Sequence, residues 1–501
     1  MNPNDKSGVF IPFLIFLLAA GVYGLYGFNE GISYDAATTI YSGQRMADGI
    51  PHYLSTIDNR GPLAPIFAGL GAIFAKKFSI DSVFSIRLVF FLFSCLTVVS
   101  VYSFTRFLAK SAVAGLISSI TFLSFQDFAF YAGSGPQIKT PMVLFETLCL
   151  LFTARNMWFW AGLNGSLAFL IWQPCGIFPA AAIAIAAFQP GDKKFRAVSK
   201  AVFGALIPVC LICIYYIYYN ALSDLIDGML LFNLLYLVRP AFNIFSHIKQ
   251  PADVLIIAYR VSLVQILLGL GMIFLQYFYR KQVNKSWMKT LFEDPFSAVF
   301  LTYPIPFIWS FLDFQGAPDF YIFLPYVCLG FGILINYGVQ KIYSDFHNNN
   351  LFAGNLAVLV LSIALLIPPI TTSLGYKFND LVLQKKAVSE MKKRFGDNFK
   401  PLSISGPELL ALMDVPNPNR YISLKFGFAR YIDKKFEGGF DGFIKKIQEY
   451  NPDVIAVDSI KDAYSDKLIG WIESNYTKEV VGPFKVYVSN NILRSKANEG
   501  K

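Results

Sequence analysis

Residues 29–65 read NEGISYDAATTIYSGQRMADGIPHYLSTIDNRGPLAP, and this stretch sets the terms for the rest of the chain. It follows the first apolar run, Val9 to Phe28, and is too polar to enter a bilayer. Glu30, Asp35, Asp48, Asp58, Arg45 and Arg60 crowd into it, whereas the apolar segments that follow carry almost no charge. A charge cluster at a membrane surface points to chemistry there. The plain alternative is a solvated loop kept wet by its acids and bases, but loops of this length are usually functional or disordered.

Working outward, 55% hydrophobic and 17% aromatic residues, 50 of them Phe, make the 501-residue chain too apolar for a soluble protein. It reads as a multi-spanning α-helical membrane protein. The excess of 43 Lys and Arg over 33 Asp and Glu is therefore read first as topology, because cytoplasmic loops collect basic residues, and not as a nucleic-acid footprint. Cys95, Cys149, Cys175, Cys210, Cys213 and Cys328 all fall in apolar segments and read as small core residues, not as a disulfide framework. His52, His247 and His347 are too scattered for a His-rich metal site. Val9 to Phe28 has no convincing cleavage site and reads as an anchor.

A span needs about 20 mostly apolar residues, and that rule predicts about eleven. They lie near 9–28, 84–105, 112–131, 141–155, 158–173, 175–188, 202–220, 255–278, 295–312, 320–337 and 352–370. Pro62 to Phe78 is short, Gly-rich and ends in Lys76 and Lys77, so it is expected to lie in the interface. Arg106 and Lys110, Arg155, the cluster from Lys193 to Lys200, and the cluster from Arg280 to Lys289 then fall on one face, cytoplasmic by the positive-inside rule. The loop 29–80 lies on the other, outer face, and 132–140, 221–253 and 315–321 lie on that same outer face, turned toward the loop. The 221–253 stretch suits amphipathic helices on the outer leaflet.

The sequence predicts two domains: a transmembrane module over 1–372 and an extracytoplasmic α/β domain over 373–501. In the latter, NDLVLQKKAVSEMKKRF, GPELLALMD, GFDGFIKKIQEYN and SDKLIGWIESNY read as helices. PLSIS, RYISL, DVIAVD and FKVYVSN read as strands.

An acidic outer loop with a cation and apolar walls suits a sugar carried on a polyprenyl phosphate. Transfer of that sugar needs a base for the acceptor proton, cations for the departing phosphate and hydrophobic walls for the lipid. Asp35, partly desolvated at the membrane edge, is the candidate base, although an acid in the first turn of a helix is also favoured by the helix dipole alone. Arg60 offers a planar fork for phosphate oxygens, and Asp58 is placed to orient it.

The order Tyr34-Asp35-Ala36-Ala37, Gly49-Ile50-Pro51-His52-Tyr53 and Asp58-Asn59-Arg60-Gly61-Pro62-Leu63 resembles the first loop of the GT-C glycosyltransferases. The nearest branch is the bacterial relatives of protein O-mannosyltransferases and aminoarabinose transferases. The resemblance extends to Phe232-Asn233-Leu234-Leu235-Tyr236 and to Asn451-Pro452-Asp453-Val454-Ile455-Ala456-Val457-Asp458. It implies that Asp35 is the catalytic acid and that Arg60 stands where the family usually has Lys; Tyr34, Asp58, Asn233 and Tyr236 in or beside these motifs, and Lys139 and Arg239 on the same predicted face, are the candidate substrate-binding residues.

Ala36 replaces the family's usual second acid, Pro318-Asp319-Phe320-Tyr321 lacks its basic and His residues, and Gln137, Lys139 and Thr140 stand where many relatives have an acid. These departures support no bound divalent cation, and no other cofactor is expected. The partners expected are a polyprenyl-phosphate sugar donor, a glycan, lipid or protein acceptor, and membrane lipids. A transporter or flippase would share the hydropathy but tends to show broken helices or paired halves, and an external tail domain is unusual for one. A glycan polymerase or ligase would place its key Arg and His in large later loops.

Overall fold

A computed structural model describes residues 7–237, 243–345, 351–375, 380–457 and 464–499 of the chain. They fall into two compact units, one of 1–27, 90–212 and 241–377, the other of 28–89, 213–240 and 378–501. This division differs from a cut at 372: the tail shares its unit with the first polar loop and with 213–240.

The first unit is helical. Ser111, in extended conformation, accepts from the Ala114 amide at 3.2 Å and so caps the start of the helix Ala112–Leu123. That helix and Gln126–Ser134 meet at 68°, so the expected 112–131 span is a bent pair. At the bend, Ser124 donates to Gln265 Oε1 at 2.8 Å. Small residues let helices approach closely: a Cβ on Gly330 would lie 2.0 Å from the Gly269 carbonyl oxygen, so Leu263–Asn284 and Leu324–Asp345 cross backbone to backbone.

Each segment expected to span coincides with helix, but several are short or broken. Among the described residues, five helices are long and apolar enough to cross: Ser82–Ala109, Lys193–Tyr218, Ile244–Asn284, Ala317–Lys341 and Gly354–Leu374. The bent pair would make a sixth. Trp158–Ile171 has 14 residues, which at about 1.5 Å each falls short of a hydrocarbon core about 30 Å thick. The 295–312 segment breaks at Tyr303, where Pro304 starts a new helix. Cys95, Cys149, Cys175 and Cys328 are buried as small core residues, while Cys210 is exposed.

In the second unit, Ser33 caps the helix Tyr34–Ala47, which packs on Leu63–Phe78 where Gly43 meets Ala68. A Cβ on Gly43 would sit 2.6 Å from the Ala68 Cβ, so only glycine permits this crossing. The tail carries a four-stranded sheet, β1 (Pro401–Ile404), β2 (Val454–Val457), β3 (Tyr476–Val481) and β4 (Phe484–Ser489), in the order β1-β2-β4-β3. β1 runs parallel to β2, with Leu402 opposite Ile455, and β4 is antiparallel to both of its neighbours.

RYISL is not a strand. Its backbone bonds go to loops: the Ser405 amide donates to the Ile422 carbonyl and the Ile57 amide to the Arg420 carbonyl, both at 2.9 Å. The expected helix SDKLIGWIESNY ends one residue early, and Tyr476 opens β3, whose charged Lys478 and Glu479 suit an edge strand. Phe428–Lys435 and Asn490–Glu499 are further helices. Phe232, fully buried, stacks on Phe428 at 4.3 Å, so this part of 221–253 buries one face in the unit's own core while Leu234 stays 77% exposed.

Candidate active site

The site is built on the loop between two helices of the second unit. Asp58 opens a tight turn: its Oδ1 accepts from the backbone amides of Asn59 at 2.8 Å and Arg60 at 3.2 Å. The same carboxylate grips the Arg60 side chain, with Nε at 2.9 and 3.0 Å from its two oxygens and Nη2 at 2.8 Å from Oδ2. This is the two-pronged fork that a planar guanidinium offers a carboxylate. Arg60 Nη1 is left over, and it reaches Asp35 Oδ1 at a looser 3.3 Å.

The two acids differ in setting. The Asp58 side chain is 7% exposed and that of Asp35 65% exposed. Burial alone would push Asp58 up, but Arg60 and its hydrogen bonds hold this carboxyl below the usual carboxylate range. Burial likewise opposes the Arg60 charge, and Asp58 and then Asp35 more than restore it. The protein itself leaves Asp35 on the open side of the helix start, so any desolvation there comes from outside the chain. Asp35 lies in the first turn of Tyr34–Ala47, whose N-cap is Ser33, so the helix dipole also favours its charge.

The turn is clamped from three sides. Asn233 Nδ2 donates to the Asn59 carbonyl at 2.7 Å, and Asn59 Nδ2 donates to Asn233 Oδ1 at 3.2 Å. The Tyr53 hydroxyl donates to the Arg60 carbonyl at 2.6 Å. Gly228 passes so close that a Cβ there would meet the Tyr53 ring at 2.6 Å. From the tail, Arg420 pairs with Asp224 and reaches the Tyr53 carbonyl at 3.4 Å.

Beneath Asp58 lies His52, fully buried, with Nε2 3.9 Å from Asp58 Oδ2 and Nδ1 3.0 Å from Ser42 Oγ. Burial depresses the imidazole to about 4, against the pull of Asp58, and Arg60 depresses it further. The ring is therefore neutral at neutral pH.

Of the residues singled out from the sequence, Asp35, Asp58, Arg60 and Asn233 come together, and Tyr34 borders them. The Tyr34 ring carries Lys425 Nζ 4.5 Å from its centroid, and burial, opposed by a hydrogen bond with Ser423, pushes its hydroxyl up. Tyr236 instead packs edge-on against Tyr431 at 5.1 Å, within the core of the unit. Lys139 belongs to the first unit, where it forms a buried ion pair with Asp319 and lies 4.1 Å from the Trp172 ring centroid. Arg239 lies outside the described residues, as does Asp458.

Sequence reasoning missed His52, Asn59, Asp224, Asn417, Arg420 and Lys425. Asn417 donates its amide to the Tyr41 hydroxyl at 2.8 Å, so the polar run Asn417-Pro418-Asn419-Arg420 docks on the loop helix. That run, dense in turn formers between two apolar stretches, was the available signal.

With fold and site in view, the chain has the GT-C-like architecture: a polytopic integral membrane protein with a tail containing a small α/β sheet. The particular neighbours are solved structures. ArnT from Cupriavidus metallidurans in the apo state superposes with a TM-score of 0.60 at 12% identity, covering 96% of this chain and 98% of that one. ArnT bound to undecaprenyl phosphate gives 0.58 at 11% identity, covering 96% and 98%. The oligosaccharyltransferase AglB from Archaeoglobus fulgidus, in complex with an inhibitory peptide and a dolichol-phosphate, gives 0.56 at 12% identity, covering 97% and 75%. No protein-family model and no curated protein sequence matches the chain, so the likeness is one of fold.

Proposed function

We propose that the protein is a glycosyltransferase that moves a sugar from a polyprenyl-phosphate donor to a glycan, lipid or protein acceptor. It acts on the extracytoplasmic face of the plasma (inner) membrane. The observation that carries this reading is the divided engagement of Arg60: Nε and Nη2 are fixed by buried Asp58, while Nη1 is loosely held by exposed Asp35. Its fold is shared with an ArnT that binds undecaprenyl phosphate and an AglB that binds a dolichol-phosphate.

In the reaction, the acceptor oxygen bonds to the sugar anomeric carbon as the bond from that carbon to the phosphate oxygen breaks. Asp35 takes the acceptor proton, and the departing phosphate takes Nη1 in place of Asp35. Asp58 keeps the guanidinium aimed throughout. The charge that develops on the phosphate is thus met by a cation already oriented, with little reorganisation at the moment of reaction. A single displacement inverts the anomeric centre, whereas retention by double displacement would need a second carboxylate as nucleophile. Asp58, turned inward on Arg60, does not supply one, and with Ala36 in place of the family's second acid the reading calls for no resident metal.

The test is transfer by purified, reconstituted protein from a polyprenyl-phosphate sugar to an acceptor extract. The expected product has the configuration opposite to the donor's. A retained configuration, or transport of the intact lipid-linked sugar without transfer, would overturn the reading.

A further inference from the structure

In the first unit, four cations from three segments line one cavity of about 420 Å³. Arg106 and Lys110 come from the end of Ser82–Ala109 and just beyond it, Arg155 follows Lys139–Ala154, and Arg280 stands in the last turns of Leu263–Asn284. Basic residues at span ends ordinarily extend their charged heads into water and bind nothing in particular. These guanidiniums are held differently. Arg106 lies 5.9 Å from the Tyr102 ring centroid, Arg155 5.0 Å from that of Phe107, and Arg280 3.9 Å from that of Phe296. Among the described residues, the buried Nε atoms of Arg155 and Arg280 find no hydrogen-bond partner.

The charge here is uncompensated. Asp294 pairs with Arg280 at 2.9 Å, but among the described residues no carboxylate pairs with Arg106, Lys110 or Arg155. Burial, and then the neighbouring Arg106, hold Arg155 below the ordinary guanidinium range. Guanidiniums remain charged at any physiological pH, so their repulsion is relieved by an anion and not by loss of a proton. Tyr102 and Ser103 add hydroxyls to the lining, and Pro12 and Leu108 add apolar wall. The cavity lies at the end of Ser82–Ala109, a helix long and apolar enough to span, and the ends of spans meet the headgroup region of a bilayer.

We propose that this cavity binds the phosphate of an anionic membrane lipid, a site separate from the one around Arg60 and independent of the glycosyl-transfer reading. The shared chemistry is a phosphate group, and free phosphate is the competing source.

The test uses the full-length protein released from mixed phosphatidylglycerol and phosphatidylcholine membranes, with retained lipid counted by native mass spectrometry. The expected result is preferential retention of phosphatidylglycerol, weakened by salt. Arg106→Gln/Arg155→Gln should lower that retention by about 25-fold, at roughly fivefold per cation near a membrane surface. Lys110→Gln, at an exposed position that does not endanger folding, should lower it about fivefold. Equal retention of the two lipids by the natural protein, or an unchanged preference in both variants, would overturn the proposal. So would stabilisation by inorganic phosphate that depends on Arg155 without any lipid preference, which would assign the cavity to the soluble anion instead.

Discussion

Arg60 and Lys139 are both cations beside buried carboxylates, yet the two pairs are held differently. Arg60 divides its fork between Asp58, 7% exposed, and Asp35, 65% exposed, so one nitrogen faces the open side. Lys139 and Asp319 are both nearly buried, with side chains 11% and 10% exposed. Asp319 also accepts from the Gln315 amide at 2.5 Å, and Trp172 lies against the ammonium. A point charge so enclosed has little left for a substrate, whereas a fork can be fixed on one edge and offer the other. Proximity of a cation to an acid thus does not distinguish a site from a strut. The exposure of the acid that holds the cation's outer side does.

The largest effect should come from Arg60→Ala, which is expected to abolish transfer nearly completely. It also strands Asp58 as a buried unpaired charge, which costs about 3–5 kcal/mol of stability. Arg60→Ala/Asp58→Asn separates the two effects: thermal melting should recover toward the natural protein while transfer stays absent. If transfer returned with the fold, Arg60 would be a strut and not part of the site.

The converse applies to Lys139→Met, which should also destabilise by several kcal/mol, since removing one partner of a buried pair costs about 3–5. Lys139→Met/Asp319→Asn should restore both melting and transfer. A double variant that folds but does not transfer would place Lys139 in contact with substrate.

A smaller effect is expected from pH. The folded value for His52, about 4, lies below the ordinary value of 6.5, so the unfolded chain binds the extra proton first. Stability should therefore fall as pH drops through the window from about 6.5 to about 4, at up to about 1.4 kcal/mol per pH unit. Asp58 acts in the same direction but lower down: its stabilisation is present above the ordinary carboxylate value and lost as pH falls through its depressed folded value. His52→Asn should flatten the upper window alone, read as melting temperature against pH. A natural protein with no slope between pH 6.5 and 4 would contradict the burial of a neutral ring.

Much of this was legible in the sequence because charge is scarce in it. Six charged residues in one loop of an apolar chain mark the loop, and Asp58-Asn59-Arg60 brings acid and base together through a local turn. Helices were legible as apolar runs, but their breaks at Ser124 and Tyr303 depend on packing and on proline placement that composition does not weigh. The clamp was not legible: Arg420 and Asp224 are 196 positions apart, and Asn233 and Asn59 are 174 apart. Nor could β3 be told from the preceding helix, since Tyr476 fits either period and only pairing with β4 decides. The exposure of the Asp35 side chain within the protein was not legible either, because burial at a helix start depends on what packs over it.

The most direct test of the account is single-turnover transfer by purified Asp35→Asn with donor and acceptor saturating. A base acts chiefly in the transition state, so the chemical step should slow by about 10² to 10⁴ while donor binding and melting temperature stay near those of the natural protein. A folded Asp35→Asn protein that transfers at the natural rate would contradict it.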